Sequence, residues 1–322
     1  MLDCVKIKDL IERCDEVFIT AHKNIDLDAI GAILGMYYIS NNFGKNAHVI
    51  VDDEQVSKEV KRAFYTLEET DNIVATKYND IKNRITDKSL LIIVDTNRKT
   101  RVQNEKLLKI KNKIIIDHHV ETCDLIENVT YKFIDIKASS SIEIVLDLIN
   151  ELNIYIPSAM ATIMFAGMYI DTNGFLHKST EKTHMCISML YKFGLDNKEA
   201  QYLLKQNFNE FKRRQKLTLK TEIYDCIAVT ALENKYSNVE LAKASDVLLS
   251  FENIEASFAI AKLDDDIVGI SARSLGNIDV ENIMHNFNGG GHKTDAATQI
   301  KGKTVDSVKE ELLDYLGGLE WK

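Results

Sequence analysis

Lys113-Ile114-Ile115-Ile116-Asp117-His118-His119 is the stretch on which the reading of this chain turns. Three consecutive isoleucines have the β-branched, unalternating character of a parallel strand covered on both faces. An acid and two imidazoles follow at once. The design recurs at three other places. His22, Asp26 and Asp28 follow Val17-Phe18-Ile19-Thr20, Asp95 follows Leu90-Leu91-Ile92-Ile93-Val94, and Asp171 follows the apolar segment 164–170. Side chains at the carboxyl ends of parallel strands converge on one crevice of an open sheet. The pattern therefore predicts a shared site able to hold two divalent cations, and with them metal-assisted hydrolysis of a phosphate ester.

Working outward, 322 residues exceed one typical core and predict two domains. Hydrophobic residues make up 45% and charged residues 28%, the balance of an ordinary globular protein. No apolar run reaches the roughly 20 residues that span a bilayer, and the first residues lack the pattern of a secretory signal. Five scattered cysteines, never in a C-x-x-C pair, predict reduced thiols in a cytoplasmic protein. A net charge of −9 argues against a partner such as duplex nucleic acid, while leaving room for a local cationic pocket.

The N-terminal part alternates helix and strand signals. Helices are expected at 5–13 and 28–38, and strands at 17–20, 48–51, 90–94 and 113–116, with 131–136 as an edge strand. The signal is helical from 139 to about 193. Residues 194–220 carry no Pro- or Ser-rich spacer and read as connecting helices. Strands then alternate more strictly at 226–232, 256–262, 267–273 and 296–300, with Asp264-Asp265-Asp266 as a hairpin turn and helices at 238–249, 279–286 and 304–316. The expected fold is α/β: a parallel-sheet domain over 1–192, a helical linker over 193–222, and a smaller mixed-sheet α/β domain over 223–322.

The donor types favour a particular metal. Carboxylate-rich sites with one imidazole per ion suit Mn²⁺, with Mg²⁺ or Co²⁺ as substitutes, better than a thiolate-rich zinc site. No cysteine stands near the candidate ligands, which argues against structural zinc. In the C-terminal part, Asn288-Gly289-Gly290-Gly291-His292 reads as a loop whose glycines let backbone amides approach a phosphate or base. Arg273 is a candidate phosphate fork.

With these motifs in order, the chain resembles the DHH phosphoesterase superfamily over nearly its whole length. Within it, 138–143, 166–172, 271–276 and 296–299 most resemble the catalytic part of GdpP-type cyclic-di-AMP phosphodiesterases. The resemblance implies that His22, Asp26 and Asp95 bind one Mn²⁺, and that Asp28, Asp95, His118 and Asp171 bind the other. Asp95 would bridge them. His119 would face the scissile phosphate and Asp117 would orient His118. Arg98, Ser139, Arg273, Gly289, Gly290, Gly291 and His292 would contact substrate in a cleft between the domains. The implied reaction opens cyclic di-AMP to linear pApA with metal-activated hydroxide. The alternatives are a nanoRNase or 3′-phosphoadenosine-5′-phosphate phosphatase, or a non-catalytic nucleotide sensor. GdpP-type proteins carry membrane helices and sensory domains absent here, so the chain reads as a cytoplasmic catalytic fragment of a membrane-anchored protein or a short member. Paired copies among relatives make a homodimer an expectation.

Overall fold

Isoleucine, valine and leucine fill the central strands of the N-terminal half, and in the computed structural model those strands are buried on both faces. The structure describes residues 2–53, 56–71 and 73–318. Two units divide the chain, Met1–Lys205 and Gln206–Lys322.

The first unit runs α1 (Cys4–Arg13), β1 (Glu16–Thr20), α2 (Leu27–Asn42), β2 (Asn46–Val49), α3 (Lys58–Asp71) and α4 (Tyr78–Ile81). It continues through β3 (Leu90–Val94), β4 (Asn112–Asp117), β5 (Tyr131–Ile134), α5 (Ser141–Glu151), α6 (Ser158–Asp171), α7 (Glu181–Lys192) and α8 (Asn197–Leu203). The sheet order is β2-β1-β3-β4-β5, and every neighbouring pair is parallel. The chain leaves β1 for β2 on one side and returns as β3 on the other. Such a reversal opens a crevice at the strands' carboxyl ends. Helix α2 is buried almost all round and packs with α5 and α6. A Cβ on Gly167 would stand 2.6 Å from the Leu27 carbonyl oxygen, so α6 presses on the start of α2. One turn later α6 ends at Asp171, beside the first turn of α2.

The second unit comprises α9 (Phe208–Thr218), β6 (Glu222–Tyr224), β7 (Ile227–Lys235), α10 (Asn238–Leu249), β8 (Ala256–Asp264), β9 (Ile267–Ser274), α11 (Val280–His285), β10 (Gly290–His292), β11 (Asp295–Lys301) and α12 (Val305–Gly317). Its sheet order is β10-β11-β9-β8-β7-β6, parallel only at β7–β8. Phe258, Ile260, Val268, Ile270, Val280 and Leu312 belong to its own core.

The fold is the expected α/β arrangement of a parallel sheet and a separate mixed sheet. Asp171 ends α6, inside the stretch expected to be helical. Two particulars differ from the sequence reading. The glycine run is not a loop throughout, since Gly290–His292 pair with β11 as a short antiparallel strand. The stretch expected as a linker is divided between the units: α8 lies in the first, while α9 and β6 lie in the second. Helix α3 carried no expectation from the sequence.

Candidate metal centre

The centre is assembled from four chain segments. His22 leaves β1, and its Nδ1 donates to the Lys23 carbonyl at 2.7 Å. That leaves Nε2 facing Asp95 Oδ2 at 3.2 Å and Asp26 Oδ2 at 3.6 Å. Asp26 is also the N-cap of α2, its Oδ1 accepting from the Ala29 amide at 3.0 Å. Capping and facing His22 use different oxygens, so both roles hold at once.

His118, just past β4, repeats the arrangement. Its Nδ1 lies 3.4 Å from the Ala138 carbonyl, and its Nε2 lies 3.3 Å from Asp95 Oδ1, 3.5 Å from Asp171 Oδ2 and 3.8 Å from Asp28 Oδ2. Asp95 thus turns one oxygen toward each imidazole. Its φ is +59°, the left-handed region, which aspartate enters more readily than most residues. The Ser141 hydroxyl donates to Asp95 Oδ1 at 3.0 Å.

Asp117 differs from the sequence expectation in one respect. Its Oδ1 accepts from the His118 amide at 2.8 Å and the His119 amide at 3.1 Å, but the ring it holds is His119, through Nδ1 at 2.8 Å. The His118 ring is oriented by the Ala138 carbonyl instead. His119 is half exposed and keeps Nε2 for another partner.

Electrostatics sharpen the picture. Burial disfavours a charged His22, yet the Asp26 and Asp95 carboxylates outweigh it and raise its pKa to about 11. His118 is raised to about 10 against its burial, chiefly by Asp95. Burial also opposes ionisation of Asp95, but hydrogen bonds from His118 and His22 hold it well below the usual carboxylate range. Asp28 is 1% exposed and accepts the Ser141 and Ile142 amides at 2.8 and 3.0 Å. Those amides favour its charge, but burial and the like charges of Asp95 and Asp171 prevail and push its pKa well up. Burial and Asp95 raise Asp171 to about 7.

Four carboxylates therefore share a pocket in which, among the described residues, only imidazoles supply positive charge. The missing countercharge is what divalent cations provide. Three donor sets lie close enough to hold ions: His22, Asp26 and Asp95; Asp28, His118 and Asp171; and Asp95, His118 and His119. The residues fit the group.

The remaining candidates are dispersed. Arg98 is half buried, its Nε without a hydrogen-bond partner among the described residues. The Ser139 hydroxyl, expected to meet substrate, is buried and donates to Glu143 Oε2 at 2.6 Å. In the second unit, Arg273, Gly289 and Gly290 line a cavity of about 610 Å³ together with Asn238, Ser271 and Gln299. Arg273 Nε is engaged by Asp246 at 2.8 Å, which occupies one edge of the expected fork. Gly291 and His292 are not among the residues lining that cavity. A Cβ at Gly291 would meet the Asp295 carbonyl oxygen at 2.4 Å, whereas one at Gly290 meets nothing within 4 Å.

Residues 16–168 match the model of the DHH family, N-terminal domain, and residues 225–318 match that of the DHHA1 domain. The chain carries a DHH domain and a DHHA1 domain. It is 34% identical to the cyclic-di-AMP phosphodiesterase PdeA of Listeria monocytogenes, with 98% of this chain and 49% of PdeA covered. It is 33% identical to the cyclic-di-AMP phosphodiesterase GdpP of Bacillus subtilis, covering 95% and 48%. The chain thus spans about half the length of these two relatives. The bifunctional oligoribonuclease and PAP phosphatase NrnA of Mycoplasma pneumoniae is 27% identical, covering 91% and 90%. A solved exopolyphosphatase-related protein of Bacteroides fragilis shares the fold, with a TM-score of 0.80, 22% identity and coverage of 97% and 95%.

Several residues of this DHH centre escaped the sequence reading. Asn97, two residues after Asp95, donates from Nδ2 to the His119 carbonyl at 3.1 Å and is almost wholly buried. Gln103 donates to the His22 carbonyl at 2.7 Å and to Asp53 at 2.8 Å. Ser141 and Glu143 act from α5. A serine before a helix signals a cap, and only the fold reveals what the cap faces.

Proposed function

We propose that the chain hydrolyses cyclic di-AMP to linear pApA at a centre holding two Mn²⁺ ions, for which Mg²⁺ or Co²⁺ can substitute. The observation that carries this reading is the orientation of Asp95, one oxygen toward His22 and the other toward His118. His22, Asp26 and Asp95 would hold one ion; Asp28, Asp95, His118 and Asp171 would hold the other. Such a pair supplies Lewis acidity and hydroxide near neutral pH.

The chain's own groups do the rest. Asp117 holds the His119 ring through Nδ1. That leaves Nε2 as the ring nitrogen that would meet a non-bridging phosphate oxygen as charge builds there. Water adds across one P–O bond, leaving a 5′-phosphate and a freed 3′-hydroxyl. In the DHHA1 unit, the cavity beside Gly290 and Arg273 would take a nucleobase or the second phosphate. The PdeA and GdpP names support cyclic di-AMP as the substrate, and no helix among the described residues is long and apolar enough to cross a membrane.

A second reading, an oligoribonuclease and PAP phosphatase, is supported by the 27% identity to M. pneumoniae NrnA over 91% of this chain. One preparation assayed on cyclic di-AMP, pApA and pAp, with and without Mn²⁺, decides. Accumulation of pApA from cyclic di-AMP supports the first reading. Faster turnover of pAp or pApA moves the assignment to the second, and no Mn²⁺-dependent turnover of any of them overturns both.

A further inference from the structure

We infer that Glu143 is a positioning residue, fixing the geometry of the metal centre by clamping the turn 138–141. Glu143 lies in the first turn of α5 and is 1% exposed, yet its carboxylate is not among the candidate ligands. Its Oε2 accepts from the Ser139 hydroxyl at 2.6 Å, the Ser139 amide at 3.3 Å and the Thr183 hydroxyl on α7 at 2.8 Å. Its Oε1 stands 3.7 Å from Lys182 Nζ.

The clamped turn addresses three of the candidate ligands. The Ala138 carbonyl lies 3.4 Å from His118 Nδ1. The Ser141 hydroxyl donates to Asp95. The Ser141 and Ile142 amides donate to the two oxygens of Asp28. A shift of the turn would therefore move a histidine, the bridging carboxylate and a buried carboxylate together.

Helix formation does not explain the clamp. The N-cap of α5 is Ser140, whose hydroxyl accepts from the Glu143 amide at 3.2 Å, so the helix start is satisfied without the Glu143 side chain. A buried carboxylate is costly unless its oxygens are used. Here three donors converge on one oxygen, and two of them belong to Ser139.

This inference rests on the reading of the cluster as a metal centre. Its test compares Mn²⁺ affinity, followed by electron paramagnetic resonance of free Mn²⁺, with melting temperature and with KM for cyclic di-AMP, all on the full chain. Ser139→Ala and Glu143→Ala are expected to weaken Mn²⁺ binding about tenfold or more, as for other residues that orient ligands. Glu143→Gln keeps a carbonyl acceptor for Ser139 and is expected to bind Mn²⁺ within about threefold of wild type. Thr183→Val removes the hydroxyl that reaches Glu143 from α7, and with it the bond from the Thr180 amide that caps α7. It should lower the melting temperature and leave Mn²⁺ affinity unchanged. If Glu143→Ala does not fold, Ser139→Ala carries the test.

Two results overturn the inference. One is a raised KM with unchanged Mn²⁺ affinity in Ser139→Ala, which makes Ser139 a substrate contact. The other is Mn²⁺ affinity that follows melting temperature across all four variants, which makes the network merely structural. Wild-type protein that binds no Mn²⁺ defeats the metal reading and this inference with it. Wild-type binding with unaltered variants defeats this inference alone.

Discussion

Asp95 carries more of the proposed chemistry than any other side chain, and its surroundings say why. It is 3% exposed, sits in the left-handed backbone region, accepts from Ser141 and divides its oxygens between two imidazoles. Asp95→Ala would remove the proposed shared ligand, so kcat in excess Mn²⁺ should fall by about a thousandfold, the rate equivalent of several kcal/mol. Circular dichroism should show the fold largely kept, because the sheet beneath is intact. Activity within about tenfold of wild type would remove Asp95 from the bridging role. Asp117 makes a subtler case. Asp117→Asn leaves the volume unchanged but trades a carboxylate for an amide against His119 Nδ1. We expect kcat to fall about 10- to 100-fold, with Mn²⁺ affinity nearly unchanged, since the ring it orients is not that of His118. A fall in Mn²⁺ affinity without a fall in kcat would show that Asp117 acts on His118 after all.

At the scale of elements, the sequence was most readable where burial is uniform. The runs at 17–20, 90–94 and 113–116 could only be covered strands, and the polar residue ending each run had to lie at the crevice. Asp171 was legible as the end of an apolar segment in a stretch that reads as helical, and it ends α6. The Asp117–His119 contact was not readable, because which ring an acid reaches depends on how the chain turns after β4. Arg273 was only half legible: its partner Asp246 is 27 residues away on α10. The glycine run shows two reasons for one residue type. Gly289 and Gly291 are glycine because β11 is too close, with Ala297 and Asp295 carbonyl oxygens each 2.4 Å from a built Cβ. Gly290 faces open space and lines the cavity. Gly291→Ala, also strained by its φ of +154°, should lose about 1–3 kcal/mol and melt earlier. Gly290→Ala should keep its melting temperature and raise KM. Equal melting for the two variants would mean that β10 tolerates the displacement, and unchanged KM in Gly290→Ala would take the cavity out of substrate binding.

Hydrophobic clusters line both faces of the parallel sheet and both faces of the mixed sheet, and every candidate metal ligand belongs to the first unit. A ligand that binds only the folded state stabilises it, by about 2.7 kcal/mol at a hundredfold excess over its dissociation constant. Mn²⁺ should therefore act unevenly along this chain. Burial and neighbouring carboxylates raise the carboxyl groups of Asp28 and Asp171, and a cation beside them would oppose both effects. Scanning calorimetry with Mn²⁺ and then with excess EDTA should show the transition of Met1–Lys205 shifting down on chelation while that of Gln206–Lys322 stays in place. Hydrogen exchange should map the loosened amides to β1, β3, β4 and the start of α5. Loss of protection confined to the second unit, or equal shifts of both transitions, would place the ions somewhere other than the crevice at β1 and β3.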